Sequence, residues 1–458
     1  MITVGLDFGT HQTKLCVEKK EGVECRYSFV KFKDNKGVDH FTIPSVISID
    51  NRGLLSYGYI PQNNQGTRIR YFKQSTFCTS PEITMSQNDA MYFSAWYLAF
   101  ILFDLEEKFG KDFVIQMGAP TDSDHYDRAK QIAVRVLVSA YRLVEDVFQN
   151  DKKAFLSCDI DSLKNKTEIV TYSNQIKDEY GILVFPEAYA CLKPLTSRGK
   201  IANGMSLMID IGGGTTDVSF FTIENKLPQV YDFFSINKGL NYLTNALKNE
   251  QIHLSDLSTP HTAHSESLIH KILSKLIGSS TPPITQNDTT VCMDSNVHSV
   301  DELDPERIKL YVGELKKQCN SLLQRLQFEF TQQTKIPLFR LNDALKSRPL
   351  IYTGGGSTFR KLQVAYFGFK DKKLISHQEW DVKSIDDVQE IIKLGLCPIL
   401  STSYGLAISV ATDNIERKPF KDIFDRIRSI EYEEEQQAYD LHQNNRSYSA
   451  YDDWDAIK

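Results

Sequence analysis

The stretch Ile209-Asp210-Ile211-Gly212-Gly213-Gly214-Thr215-Thr216-Asp217-Val218 decides the fold. An apolar run over residues 205–211 leads into it and another over 218–223 leads out, which predicts two strands joined by a glycine turn. Consecutive glycines let backbone N–H groups approach a phosphate closely, threonine hydroxyls add donors, and a carboxylate flanks the turn on each side. The same parts recur near the N-terminus in Leu6-Asp7-Phe8-Gly9-Thr10-His11-Gln12-Thr13-Lys14, between apolar strands expected over residues 2–6 and 13–18. Asp7 and Asp210 hold equivalent places in the two units, about 200 residues apart, and this predicts an internal duplication whose turns face one ligand from opposite sides. A later strand over 349–352 runs into Gly354-Gly355-Gly356-Ser357-Thr358, where a closely approaching backbone suits a nucleoside. No GxxxxGK[ST] loop is present, so a P-loop is excluded.

Around these units the pattern is regular. Strands are expected over 27–32 and 45–49, and a helix over 94–109, where Trp96, Phe100, Ile101 and Leu105 share a face. A buried strand over 114–117 ends at Gly118-Ala119-Pro120, and a long amphipathic helix with apolar positions from 129 to 147 follows it. Residues 150–180 are polar and read as an insertion. A helix is expected to begin at Asp304, with Pro305 in its first turn and apolar positions 308, 312, 315, 319, 322 and 326 on one stripe. Between residues 253 and 300 the chain is rich in Ser, Thr, His, Pro and Asn, a long excursion whose His253, His261, His264 and His270 are read as unliganded.

The chain has 458 residues, 41% hydrophobic and 24% charged, as in soluble proteins of two or three domains. Its eight cysteines are scattered without CxxC or metal spacing, as in a reducing compartment, and no apolar run approaches the ~20 residues of a membrane span. The N-terminus opens on an apolar strand without a leader pattern, so a cytoplasmic location is expected. The formal net charge of −6 is concentrated in residues 431–458, where eight acidic residues meet two basic ones. The balanced remainder argues against direct nucleic-acid binding. This tail also carries Tyr432, Tyr439, Tyr448, Tyr451 and Trp454, a composition suited to docking on a protein partner.

The set Asp7-x-Gly9-Thr10, Asp210-x-Gly212-Gly213-Gly214-Thr215-x-Asp217 and Gly354 to Thr358 resembles the two phosphate motifs and the adenosine motif of the actin and DnaK-chaperone ATPase superfamily. The nearest branch is the nucleotide-binding domain of DnaK-type heat-shock chaperones, without the peptide-binding domain. The resemblance runs in order over about residues 1–410 and includes Ile43 to Val46, Tyr71 to Lys73, Glu314 to Lys317 and a crossing helix over 398–407. It implies an α/β fold, the duplicated actin-like ATPase architecture with two lobes, each a mixed five-stranded sheet plus a smaller subdomain. Lobe I is expected over 1–204 with its outer subdomain at about 31–93, lobe II over 205–412 with its own at about 240–345, and the tail over 413–458.

The resemblance also implies ATP or ADP with Mg2+ as ligands. Asp7 and Asp210 would hold the metal through water, and Gly9, Thr10, Thr13, Gly212, Gly213, Gly214, Thr215 and Asp217 would surround the phosphates. Lys73 would approach the terminal phosphate, while Gly354, Gly355, Gly356, Ser357 and Phe359 would line the nucleoside under Lys316, Lys317 and Asn320. One departure bears on turnover. Phe185 stands where the chaperones carry the glutamate that orients water, leaving Glu187 as the candidate replacement. A carboxylate two residues along a helix points about 200° away, so Glu187 can serve only if the helix starts later or the chain shifts. The expected function is an ATP-binding, chaperone-like module with slow or no hydrolysis that signals its state to a protein partner. The alternatives are a filament-forming bacterial actin and a phosphotransferase. The phosphotransferase is disfavoured by Asp210 for the kinases and by Thr215 and Asp217 for the phosphatases.

Overall fold

A computed structural model describes residues 2–61, 64, 66–77, 85–120, 126–196, 205–224, 227–243, 304–346, 348–363, 371–415, 417–425 and 427–428. The first glycine motif joins strand β1 (Ile2–Phe8) to β2 (Gln12–Glu21), which turns into β3 (Glu24–Phe29). Two further strands, β4 (Phe113–Ala119) and β5 (Ile182–Pro186), add in parallel on the other side of β1. The sheet order is β5-β4-β1-β2-β3, with a short strand at Ile43–Pro44 also pairing β2. Near-continuous burial along β1 and β4 matches strands covered on both faces.

The second sheet repeats this plan. Strands β6 (Ser206–Ile211), β7 (Thr216–Glu224) and β8 (Leu227–Ile236) run antiparallel, and β9 (Pro349–Thr353) and β10 (Asp371–Leu374) add in parallel beside β6. Its order, β8-β7-β6-β9-β10, repeats strand for strand the order of the first sheet read from the other edge, β3-β2-β1-β4-β5. Two mixed sheets with one topology and direction pattern, each opened by a glycine hairpin, form a duplicated α/β fold, as the resemblance led one to expect.

The helices follow from capping and periodicity. Helix α1 (Phe72–Phe77) is short, and α2 (Gln87–Phe109) begins where the Ser86 side chain accepts the Asp89 N–H, seven residues earlier than periodicity placed it. Helix α3 (Tyr126–Arg142) packs on α2 and buries its apolar stripe, including Ile132, Val136 and Leu137, in the first core. Residues 150–180, read as an insertion, instead form short helices that carry Phe155, Ile160 and Leu163 into that core. The short helix α4 (Glu187–Ala190) follows β5 directly. Helix α5 (Pro305–Gln333) starts as its sequence dictates, with Asp304 accepting the Glu306 and Arg307 N–H groups and Pro305 in the first turn. Its buried stripe, centred on Leu315, Cys319 and Leu326, covers the second core. Helix α6 (Cys397–Ala407) is buried along its whole length and touches β1, β2, β4 and β9, so it lies between the two sheets. Beyond it, Asp413 is held by Lys130 and Lys177 against the first sheet, whereas Phe420, Ile423 and Phe424 are buried in the second core. The described part of the C-terminal segment thus belongs to the packed body. Residues 253–300 and 431–458 lie outside the described residues.

Candidate functional site

The two glycine hairpins meet. The hydroxyl of Thr10 lies so close to Gly214 that a Cβ there would come within 2.7 Å of it, and a Cβ on Gly213 would come within 2.9 Å of the His11 ring. The Gln74 side chain, from α1, spans the junction by donating to the Gly214 carbonyl at 3.2 Å. Each turn is braced from behind. Ser45 donates to the Gly9 carbonyl at 2.7 Å and lies 3.1 Å from the Thr13 hydroxyl, while the Gly212 N–H donates to the Thr215 carbonyl at 2.9 Å.

Antiparallel register sets what each turn carries. Asp7 pairs with Lys14 across the first hairpin, and Asp210 pairs with Asp217 across the second. The Lys14 ammonium donates to Asp7 at 2.9 Å. Asp217 accepts the Thr215 hydroxyl at 3.1 Å and is faced in register by a second carboxylate rather than a cation. Burial raises the Asp217 carboxyl to about 8, helped by the nearby charges of Glu187 and Asp210. Burial likewise lifts Asp210 to about 6, with Asp7 and Glu187 adding repulsion and Lys14 opposing it.

Lys73, from α1, reaches into this group. Its ammonium donates to Glu187 at 2.7 Å, and both side chains are buried. Burial by itself lowers the Lys73 ammonium, but Glu187, then Asp7 and Asp217, outweigh it and hold it above its ordinary value. Glu187 reaches the site because the helix starts late. Phe185 is still in strand β5, Pro186 both ends that strand and is the N-cap, and Glu187 is the first residue of α4. Gly118 on β4 clears the way, since a Cβ there would meet the Glu187 side chain at 2.8 Å. Phe185 packs with Ala190 and Leu406, with the Lys193 ammonium 4.1 Å from its ring centre.

The third glycine motif abuts the second hairpin. Gly354 adopts φ 82° and its N–H donates to the Pro398 carbonyl at 2.9 Å, while a Cβ on it would lie 2.1 Å from Asp210 Oδ1. Gly355 to Thr358 form a single 3-10 turn in which the buried Ser357 donates to the Gly354 carbonyl at 2.6 Å. Phe359, placed against an adenine by the resemblance, is instead 5% exposed and packed in the second core. Lys316, Lys317 and Asn320 are exposed on α5. One turn before Lys317, Glu314 pairs with Lys238, beside the Gly239 that packs on the Gly212 carbonyl.

The structure therefore gathers Asp7, Thr10, Lys73, Glu187, Asp210, Gly214, Thr215 and Asp217, with Gly354 against Asp210. It adds groups that motif reading did not assign: Lys14, Gln74, Cys191 and Thr402. Lys14 was legible as the cross-strand partner of Asp7, because a seven-residue spacing across a tight hairpin fixes the pairing. Gln74 and Thr402 carried no local signal.

The chain matches no protein-family model and no curated protein by sequence. Among solved structures it is similar to MreB5 of Spiroplasma citri bound to ADP, at 14% identity and a TM-score of 0.39, over 79% of this chain and 87% of that one. Among the described residues no helix is long and apolar enough to cross a membrane, and no three His, Cys, Asp or Glu side chains converge as direct metal ligands.

Proposed function

We propose that this chain binds a magnesium nucleoside triphosphate, ATP, between its two glycine hairpins, and that the bound nucleotide sets the relation of the two lobes. The observation that supports this best is the meeting of the hairpins over a group of opposed charges: four carboxylates, Asp7, Glu187, Asp210 and Asp217, and two ammonium groups, Lys14 and Lys73. Carboxylates crowded until two of them rise out of the ordinary range fit a divalent cation, whose charge relieves the repulsion. Asp7 and Asp210 would hold Mg2+ through water. Bound there, the metal would neutralise phosphate charge. Lys14 and Lys73 bring their cations to the same place, and Thr10, Thr13 and Thr215 supply hydroxyl donors. The hairpin tips touch, so a phosphate chain entering between them has to part them, and free and bound forms must differ at this junction.

The finer reading is a DnaK-type, chaperone-like ATPase module, cytoplasmic, whose nucleotide state is read by a protein partner, with the acidic aromatic tail as the docking element. Hydrolysis needs an oriented water as well as charge stabilisation. The position of Glu187 beside Lys73 supports it as the carboxylate for that role, in place of Phe185. The pair is also self-neutralising: while Lys73 holds Glu187, each charge offsets the other, which fits slow turnover.

Titration calorimetry with ATP in magnesium tests the binding reading, and indifference to ATP, ADP and GTP would refute it. Single-turnover hydrolysis tests the role of Glu187. Glu187→Gln should lower the rate by about a hundredfold, whereas Phe185→Glu should not raise it, because that side chain is turned toward Ala190 and Leu406. Sedimentation with and without ATP separates a partner-reading module, which stays unassembled, from a filament-forming protein, which pellets.

A further inference from the structure

Asp210 is held from three directions. It sits in β6, its Oδ1 lies against Gly354, and its Oδ2 accepts from two side chains. The Cys191 thiol donates at 3.1 Å and the Thr402 hydroxyl at 3.4 Å, while the thiol and hydroxyl are themselves 2.8 Å apart. These two residues come from different parts of the chain. Cys191 caps the C-terminus of α4, the first connection between the sheets, and Thr402 lies on α6, the second. The two connections touch at backbone level next to this triad, since a Cβ on Gly405 would fall 1.8 Å from the Ala190 carbonyl oxygen. Such contact leaves Cys191 and Thr402 little freedom to turn away.

We infer that Cys191 and Thr402 are positioning residues that fix the Asp210 carboxylate for its metal and tie it to both connections between the lobes. The part concerning metal rests on the nucleotide reading above; the hydrogen-bonded triad does not. Three observations set the thiol apart from a cysteine that merely fills space. All three side chains are buried, so water does not compete for Oδ2. Burial, then the charge of Asp210, pushes the thiol well above its usual range, so the S–H stays in place as a donor across the physiological range. The donated bond also favours the ionised carboxylate and opposes the rise that burial imposes on Asp210, so losing the donor should raise that carboxyl further. The groups facing Asp210 are Asp7 and Lys14 from the first hairpin, Asp217 from β7, Glu187 from α4, Tyr311 from α5, Cys191 and Thr402. Only the last two hydrogen-bond it among the described residues.

Two measurements on the full chain test this. In calorimetry, Cys191→Ala should weaken ATP binding in magnesium by about tenfold, as lost hydrogen bonds to charged groups commonly do, and leave binding in EDTA unchanged. Cys191→Ser, which keeps a donor, should restore affinity to within about threefold, and Thr402→Val should cost less than Cys191→Ala because its bond to Asp210 is longer. The second measurement needs no nucleotide. The infrared difference between wild type and Cys191→Ala isolates the Cys191 S–H stretch, which should lie at the low frequency of a thiol donating to a carboxylate and move to higher frequency in Asp210→Asn. A band indifferent to Asp210→Asn would overturn the inference, as would magnesium dependence in Cys191→Ala equal to wild type. If wild type ignores Mg-ATP while the band shifts in Asp210→Asn, the nucleotide reading fails and the triad stands.

Discussion

The two glycine hairpins occupy the same place in two sheets of the same topology, yet they carry opposite chemistry at one cross-strand position. In the first, Asp7 faces Lys14 and is neutralised at 2.9 Å. In the second, Asp210 faces Asp217, and burial lifts both carboxyls, helped at Asp210 by Asp7 and Glu187 and at Asp217 by Glu187 and Asp210. Duplication thus settles where the two turns lie, and the residue seven positions after each aspartate settles the local charge. The first hairpin is electrostatically complete as it stands. The second is short of positive charge, which a divalent cation would supply, so removing a carboxylate should have different consequences in the two.

The largest effect is expected at Asp210. Asp210→Asn should weaken magnesium-dependent ATP binding by about a hundredfold, the scale of a lost charged ligand, and should cost the metal-free protein little, because it also removes a crowded charge. Asp7→Asn leaves Lys14 half-buried without its partner, so it should lower metal-free stability as well as affinity. Calorimetry and thermal unfolding, each with magnesium and with EDTA, check the contrast. Equal behaviour of the two variants would break it.

The cross-strand partners should differ in sign. A carboxyl raised in the folded state favours folding fully only below its unfolded value, near 3.8 for aspartate, and that contribution is lost as pH rises through the folded value, here about 8 for Asp217. Metal-free wild type should therefore lose stability between about pH 4 and pH 8 through this group. Asp217→Asn should abolish that slope and raise stability at pH 8 by about 1–3 kcal/mol, the scale of relieving a buried crowded charge. Lys14→Met should lower it by a similar or smaller amount, because Asp7 then loses its cation. Urea unfolding across this pH range, in EDTA, reads both signs.

The smallest effect sharpens the geometry. Gly354→Ala places a methyl group at positive φ, against Asp210 Oδ1 and the Ile211 backbone carbonyl. It should cost about 1–3 kcal/mol of stability and weaken magnesium dependence more than affinity in EDTA. Wild-type magnesium dependence in the Gly354→Ala variant would show that Asp210 tolerates displacement.

Much of this was legible locally. Both hairpins, the equivalence of Asp7 and Asp210, and the start of α5 at Asp304-Pro305 follow from neighbours in the chain, because turn glycines, caps and strand alternation are short-range hydrogen-bond and steric effects. The two five-stranded sheets follow from the repeated strand pattern. Where α2 begins, how residues 150–180 pack and which way Phe359 faces were not legible, because each depends on which surface a neighbouring element offers.

The site shows the same division. Sequence by itself determined that two aspartate-bearing glycine turns recur, and that Lys14 stands where the second turn has Asp217, because hairpin register is a local property. Only tertiary structure decided that Glu187, rather than Phe185, enters the site, since this depends on whether Pro186 ends a strand or continues a helix and on the room left by Gly118. Only tertiary structure joined Lys73 to Glu187, and Cys191 to Asp210 and Thr402, contacts made between distant segments. The physical reason is one of range. A backbone hydrogen bond or a cap is chosen by residues a few positions away, whereas a buried ion pair or a thiol on a carboxylate forms only after two cores have packed and brought their edges together.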